Sequence, residues 1–159
     1  MRIIRWLDAH LEEAILTIFL FIMVAVMGYQ VAMRYIFNSS LSWSEELTRY
    51  LFVWSSFISI AYCIRHQSSI KIDQILHLFP KVVQKVILLM IKVIMLLFFA
   101  YLLRYSFNVV RSTINSGQLT PALQIPMYLV HYASVVGFAL AVFRILQSFV
   151  FVAAKNVEE

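Results

Sequence analysis

The run AILTIFLFIMVAVMGYQVAM, residues 14–33, lies between Glu13 and Arg34 and carries no charge over 20 consecutive positions. A helix rising about 1.5 Å per residue needs about 20 residues to cross the roughly 30 Å of hydrocarbon in a bilayer. The run fits that distance. Arg2 and Arg5 precede it, but Asp8, Glu12 and Glu13 intervene. The apolar stretch is longer than the core of a signal peptide and no small-x-small cleavage site follows, so it reads as a retained first span.

Composition extends this reading to the whole chain. Of the 159 residues 62% are hydrophobic and 13% charged, against about 45–50% and about a quarter in soluble domains. Most of the chain need not face water, and three Gly and three Pro exclude a collagen-like or disordered polymer. The single cysteine, Cys63, offers neither an internal disulfide nor a Cys cluster for zinc or iron–sulfur. The net charge of +5 points to topology and anionic head groups rather than nucleic acid.

A charge at the bilayer centre costs at least about 2.5–3.5 kcal/mol, so charges mark span edges. Arg49 and Arg65 bracket a 15-residue uncharged run, 50–64, short unless both arginines extend along it toward the head groups. Tyr50, Phe52 and Trp54 near one end and Tyr62 near the other suit interfacial belts. A third span is expected at 83–104. Lys92 and Arg104 leave only 11 uncharged residues between them, so at least one lies inside the membrane. It is Lys92, near the midplane, if the span starts near Pro80, and Arg104 if it starts later. Asn115, Ser116, Gly117, Pro121 and Pro126 form a loop that delays the fourth span to 125–144.

Beside the spans, residues 40–49 and 70–79 are expected as amphipathic interfacial helices. In the first, Leu47, Tyr50, Leu51 and Trp54 share a face, Ser42 with Glu45 matches a capping box, and Glu45 to Arg49 is the favourable i, i+4 order. Glu45, Glu46 and Arg49 either cap an outer helix end or present a charged docking surface. In the second, Ile72, Ile75, Leu76 and Phe79 oppose Lys71, Asp73 and His77, a pattern for anchoring on the membrane surface. The expected fold is an all-α integral membrane protein, one domain over 1–159 with four transmembrane helices plus short amphipathic interfacial helices. Four spans put both termini on one side. That side holds eight Lys and Arg, against Arg34, Arg49, Arg104 and Arg111 on the other, with Lys92 uncounted. By the positive-inside rule both termini are cytoplasmic.

Catalytic chemistry is not visible. His10, His66 and His77 fall near the cytoplasmic edge and His131 near the opposite one, so His131 cannot share a haem with them without a large distortion, and no metal-type spacing supports a site formed by the other three. Ser, His and acidic residues are scattered among different span ends, and no phosphate loop occurs. Lys92 is the awkward residue, because no Asp or Glu lies inside any expected span. It reaches the surface along its stem, loses its proton, or binds a group on another chain. The lack of intramembrane acids argues against self-contained ion-coupled transport.

The segment Leu41-Ser-Trp-Ser-Glu-Glu-Leu-Thr-Arg-Tyr-Leu-Phe-Val-Trp54 resembles the small membrane subunit of tripartite ATP-independent periplasmic (TRAP) transporters. The matching positions are Trp43, Glu45, Glu46, Arg49, Tyr50 and Trp54. Ile70-Lys-Ile-Asp73 followed by Pro80, and Thr120-Pro-Ala-Leu-Gln-Ile-Pro126, resemble the family's approaches to spans three and four. Ser59 departs from it, standing where many members carry Gly. The resemblance implies a bacterial inner-membrane complex that is not an enzyme. A periplasmic substrate-binding protein captures an organic acid such as a sialic acid, another sugar acid or a dicarboxylate. A large TRAP membrane subunit binds sodium and carries the substrate, and the small subunit supports it without a cofactor of its own. Residues 43–54 would then be structural or partner contacts at the outer face, with Lys92 a further contact. The alternatives are a haem-bearing anchor of a quinone-linked oxidoreductase and a stand-alone small transporter.

Overall fold

Charges mark the edge of a membrane span but do not end a helix, and the helices run past their apolar stretches. The computed structural model describes residues 2–39, 41–65 and 80–155. Four helices make up nearly all of this: α1 (Arg2–Ile36), α2 (Ser42–Arg65), α3 (Lys81–Ser116) and α4 (Tyr128–Lys155). Each holds a stretch long and apolar enough to cross a membrane: Leu11–Ile36, Ser42–Arg65, Val86–Ser116 and Tyr128–Phe149. The chain is an all-α, multi-pass membrane protein.

Residues expected as a separate surface helix before span two are the first turns of α2, because no Gly or Pro interrupts the chain from Ser42 to Arg65. The expected helix at 70–79, with Lys71, Asp73 and His77, lies outside the described residues. α3 continues beyond Arg104 to Ser116 and stops where Gly117 takes a left-handed φ of 60° and its N–H returns to the Ile114 carbonyl at 3.2 Å. α1 stops in a related way. Phe37 and Ser39 both donate to the Met33 carbonyl, at 3.1 and 3.2 Å, around Asn38 at φ 48°, a left-handed position that Asn tolerates better than most residues.

The helices pack in the spatial order α1, α2, α4, α3, so α1 and α3 form the flanks. α2 and α4 run parallel, and Gly137 sets their approach: a Cβ there would sit 2.6 Å from Phe57 Cβ and 2.7 Å from its carbonyl oxygen. The close helix contact that a glycine at position 59 would favour is built instead from the α4 side, and Ser59 donates to the Ser56 carbonyl at 2.7 Å. Small buried residues, Ala61, Ala133 and Ala141, line the interior, as in helices associating by close packing within lipid. Phe138 stands edge-on to Phe57 at 5.4 Å between ring centroids and lies 6.1 Å from Phe99, joining α2, α4 and α3 at one level. Outward, Phe21 and Val24 of α1 and Ile94 and Leu97 of α3 are exposed. Lipid solvates such a surface at no hydrophobic cost.

Candidate functional site

Two layers of polar residues hold the helices together, one at each end of the apolar slab. By helical rise the distance from Glu46 to Arg65 along α2 is about 28 Å, close to the thickness of a hydrocarbon core. The end that holds the α1–α2 and α3–α4 connections is called the loop end, and the opposite one the terminal end.

At the loop end the acidic pair divides. Glu46 is buried, 5% exposed. Its Oε2 accepts the backbone N–H groups of Ala122 at 2.6 Å and Leu123 at 3.2 Å, and its Oε1 accepts the Tyr50 hydroxyl at 2.5 Å. The loop it grips is tightly closed on itself. Thr120 donates its N–H to the Ile125 carbonyl at 2.9 Å, and its hydroxyl oxygen accepts the Ile125 N–H at 3.2 Å. Met127 donates to the Gln118 carbonyl at 2.9 Å, and Thr120 is fully buried. Pro121 and Pro126 shape this turn, and the carboxylate takes N–H groups that helix and sheet leave unpaired. Glu45 turns to α1 instead, where its Oε1 accepts from the Gln30 side-chain amide at 2.8 Å. Arg49 and Trp43 are exposed and Trp54 is half-buried. Of the six residues in the 43–54 segment, Glu46 and Tyr50 are therefore drawn inward, while Trp43, Glu45 and Arg49 remain at the surface.

At the terminal end, Glu12 and Arg144 form a buried ion pair with Nε to Oε1 at 2.8 Å and side chains 2% and 7% exposed. Arg144 also donates from Nη1 to Gln147 at 2.7 Å. Oε2 of Glu12 finds no hydrogen-bond partner among the described residues. Lys92 belongs to this layer. Its Nζ donates to the Ser148 hydroxyl at 2.7 Å and stands 5.9 Å from the centre of the Phe149 ring. Ser148 lies one turn beyond Arg144, so Lys92 stands with the terminal-end polar groups, and Arg104, 12 residues further along α3, lies about 18 Å from it toward the loop end. No residue-type signal singled out Glu12, Arg144 or Ser148. The available clue was that Glu12 and Arg144 fall at the same-side edges of two spans. Among the described residues no three His, Cys, Asp or Glu side chains gather to hold a metal.

The geometry defines a multi-pass membrane protein whose polar groups brace its own helices. The model of the DctQ component of tripartite ATP-independent periplasmic transporters matches residues 23–154, and the chain belongs to that family. It is 29% identical over 151 residues to the isethionate TRAP transporter permease protein DctMQ of Oleidesulfovibrio alaskensis, a match covering 91% of this chain and 24% of that longer relative. It is 26% identical over 151 residues to the ectoine TRAP transporter small permease protein TeaB of Halomonas elongata, covering 95% and 76% of the two chains. With the C4-dicarboxylate TRAP transporter small permease protein DctQ of Vibrio cholerae it shares 24% identity over 161 residues, covering 86% and 68%. The chain is thus a small-permease component of a TRAP transporter.

Proposed function

We propose that this component braces the large membrane subunit of a sodium-coupled importer of an organic acid in a bacterial inner membrane. Both termini face the cytoplasm, and the loop end faces the periplasm. The large subunit carries the sodium and substrate sites, and a periplasmic binding protein delivers the acid: a sialic acid, another sugar acid or a dicarboxylate. Trp43, Glu45 and Arg49, exposed at the loop end, are the groups that meet the binding protein. Glu46, Tyr50, Trp54 and Lys92 keep the scaffold in shape behind them.

The family match across residues 23–154 carries this reading. The site chemistry agrees with it, since Glu45 and Glu46 are already engaged by this chain's own groups and are poorly placed to serve as coupling sites for a travelling cation. The test is reconstitution in liposomes with a sodium gradient. Uptake of labelled acid should require this chain, the large subunit and the binding protein together. Flux through this chain alone, or a stoichiometric Soret band in the purified chain, overturns the reading.

A further inference from the structure

α3 carries a polar stripe on a face that no other described helix covers. Tyr101, Arg104, Tyr105, Asn108 and Arg111 recur at three- and four-residue spacing, which places them on one side of a helix, and all five are exposed. α3 packs chiefly against α4, and the stripe lies within the stretch Val86–Ser116 that is apolar enough to cross a membrane.

Arg104 lies, by helical rise, inside the polar layer at the loop end. Phe99, Phe138 and Phe57 share a level through their ring contacts. By helical rise Arg104 is about 8 Å from that level toward the loop end, and Glu46 about 17 Å, so Arg104 lies about 9 Å inside the layer that Glu46 marks. A charged side chain at such a depth is retained where it meets a partner or water. Among the described residues no carboxylate is paired with it. Among the described acids, only Glu45 and Glu46 belong to the loop half. Glu45 is bonded to Gln30 of α1, and Glu46 to Tyr50, Ala122 and Leu123.

Three occupants present themselves for this face. Lipid phosphate lies toward the loop end, but side chains on a helix lean toward its N-terminus, which in α3 is the terminal end. Arg104 would have to climb against its own direction to reach it. A second copy of this chain, packed about a two-fold axis along α3, would set Arg104 against Arg104, and like charges repel across such a contact. A membrane helix of a different chain, with an Asp or Glu at matching depth, satisfies the guanidinium by the planar two-point pairing that arginine favours.

We propose that the exposed face of α3 between Tyr101 and Arg111 is the seat of a transmembrane helix of the large subunit, held by a carboxylate on Arg104. This rests on the bracing role proposed above and gives it a location.

The test co-expresses the chain with its large subunit, and uses Arg104→Leu together with a photoreactive benzoylphenylalanine in place of Tyr105. Leucine suits lipid better than arginine, so the variant chain alone should be recovered as well as the wild type, while recovery of the complex should fall at least tenfold. The crosslink from position 105 should reach a large-subunit peptide that contains Asp or Glu. Full recovery of the complex with Arg104→Leu overturns the proposal, as does a crosslink that captures only lipid or a second copy of this chain. If the wild-type chain does not co-purify with the large subunit at all, the bracing role fails and the seat falls with it. If the wild-type complex forms and the variant is indifferent, only the seat is lost.

Discussion

Glu12 and Arg144 are 132 positions apart in sequence and 2.8 Å apart in space, and their buried pair ties the start of the first span to the end of the last. α1 otherwise packs mainly on α2, so this contact closes the row of helices at the terminal end.

Removing one partner of that pair strands the other. Glu12→Ala or Arg144→Ala should each destabilise the chain by about 3–5 kcal/mol, the usual consequence of leaving a buried charge uncompensated. The double replacement Glu12→Leu with Arg144→Met should recover most of the loss, because it removes both desolvation penalties. Thermal unfolding in detergent, followed by size-exclusion fluorescence, reads the series; single variants as stable as the wild type would show that the pair contributes nothing.

Glu46 should behave as a clasp on the loop before α4. Glu46→Ala leaves the N–H groups of Ala122 and Leu123 and the hydroxyl of Tyr50 without their acceptor. Hydrogen bonds to an ionised acceptor are the stronger ones, so a cysteine placed at Gln124 should become roughly tenfold more reactive to a water-soluble maleimide. Glu46→Gln, which keeps a carbonyl oxygen for the two N–H groups, should show a much smaller rise. Equal labelling of wild type and Glu46→Ala would rule the clasp out.

The crossing of α2 and α4 predicts a strong response to one methyl group. Gly137→Ala puts a carbon 2.6 Å from Phe57 Cβ and 2.7 Å from the Phe57 carbonyl oxygen, so the helices must separate, at about 1–3 kcal/mol. Phe57→Ala should not rescue it, since the backbone oxygen and the Cβ itself remain. A variant with unchanged melting would mean that the two helices slide past each other freely.

Lys92 should tolerate an apolar replacement. Among the described residues its ammonium has a single hydrogen bond, to Ser148, and a distant aromatic face, and removing it also removes the penalty of holding a charge among apolar helices. Lys92→Leu should change stability by no more than about 1 kcal/mol. A loss several times larger, or a loss of the large subunit on purification, would assign Lys92 a contact beyond this chain.

Charge reversal at the exposed end tests docking of the binding protein. Glu45→Lys should slow uptake more at low than at high ionic strength, because salt screens exposed charge contacts and such contacts act mainly on association. A deficit independent of salt would point to the lost Gln30 contact with α1 and to a displaced helix.

The four spans were legible because hydrophobicity is a local property: an uncharged run of sufficient length crosses a bilayer whatever its neighbours do. Gly117 and the prolines after Ser116 likewise announced a loop, for they restrict the backbone at their own positions, whereas Asn115 and Ser116, expected in that loop, are the last residues of α3. The sites were legible only by residue. Glu45 and Glu46 are adjacent, chemically alike and equally plausible as docking groups, yet a rotation of about 100° per residue around α2 sends one to the loop of α4 and the other to α1. Lys92 and Arg104 posed the same difficulty along the helix axis, because counting from Pro80 could not say how far α3 projects beyond the slab before entering it.

Sequence alone determined that this chain lives in a membrane and how many times it crosses, since both follow from the transfer cost of side chains within one short segment. Tertiary structure decided which charges are spoken for and which stand open. Pairing between Glu12 and Arg144, or between Glu46 and a loop 76 residues away, depends on the register and rotation of whole helices against one another, and those are set by packing at Phe57, Gly137 and Phe138.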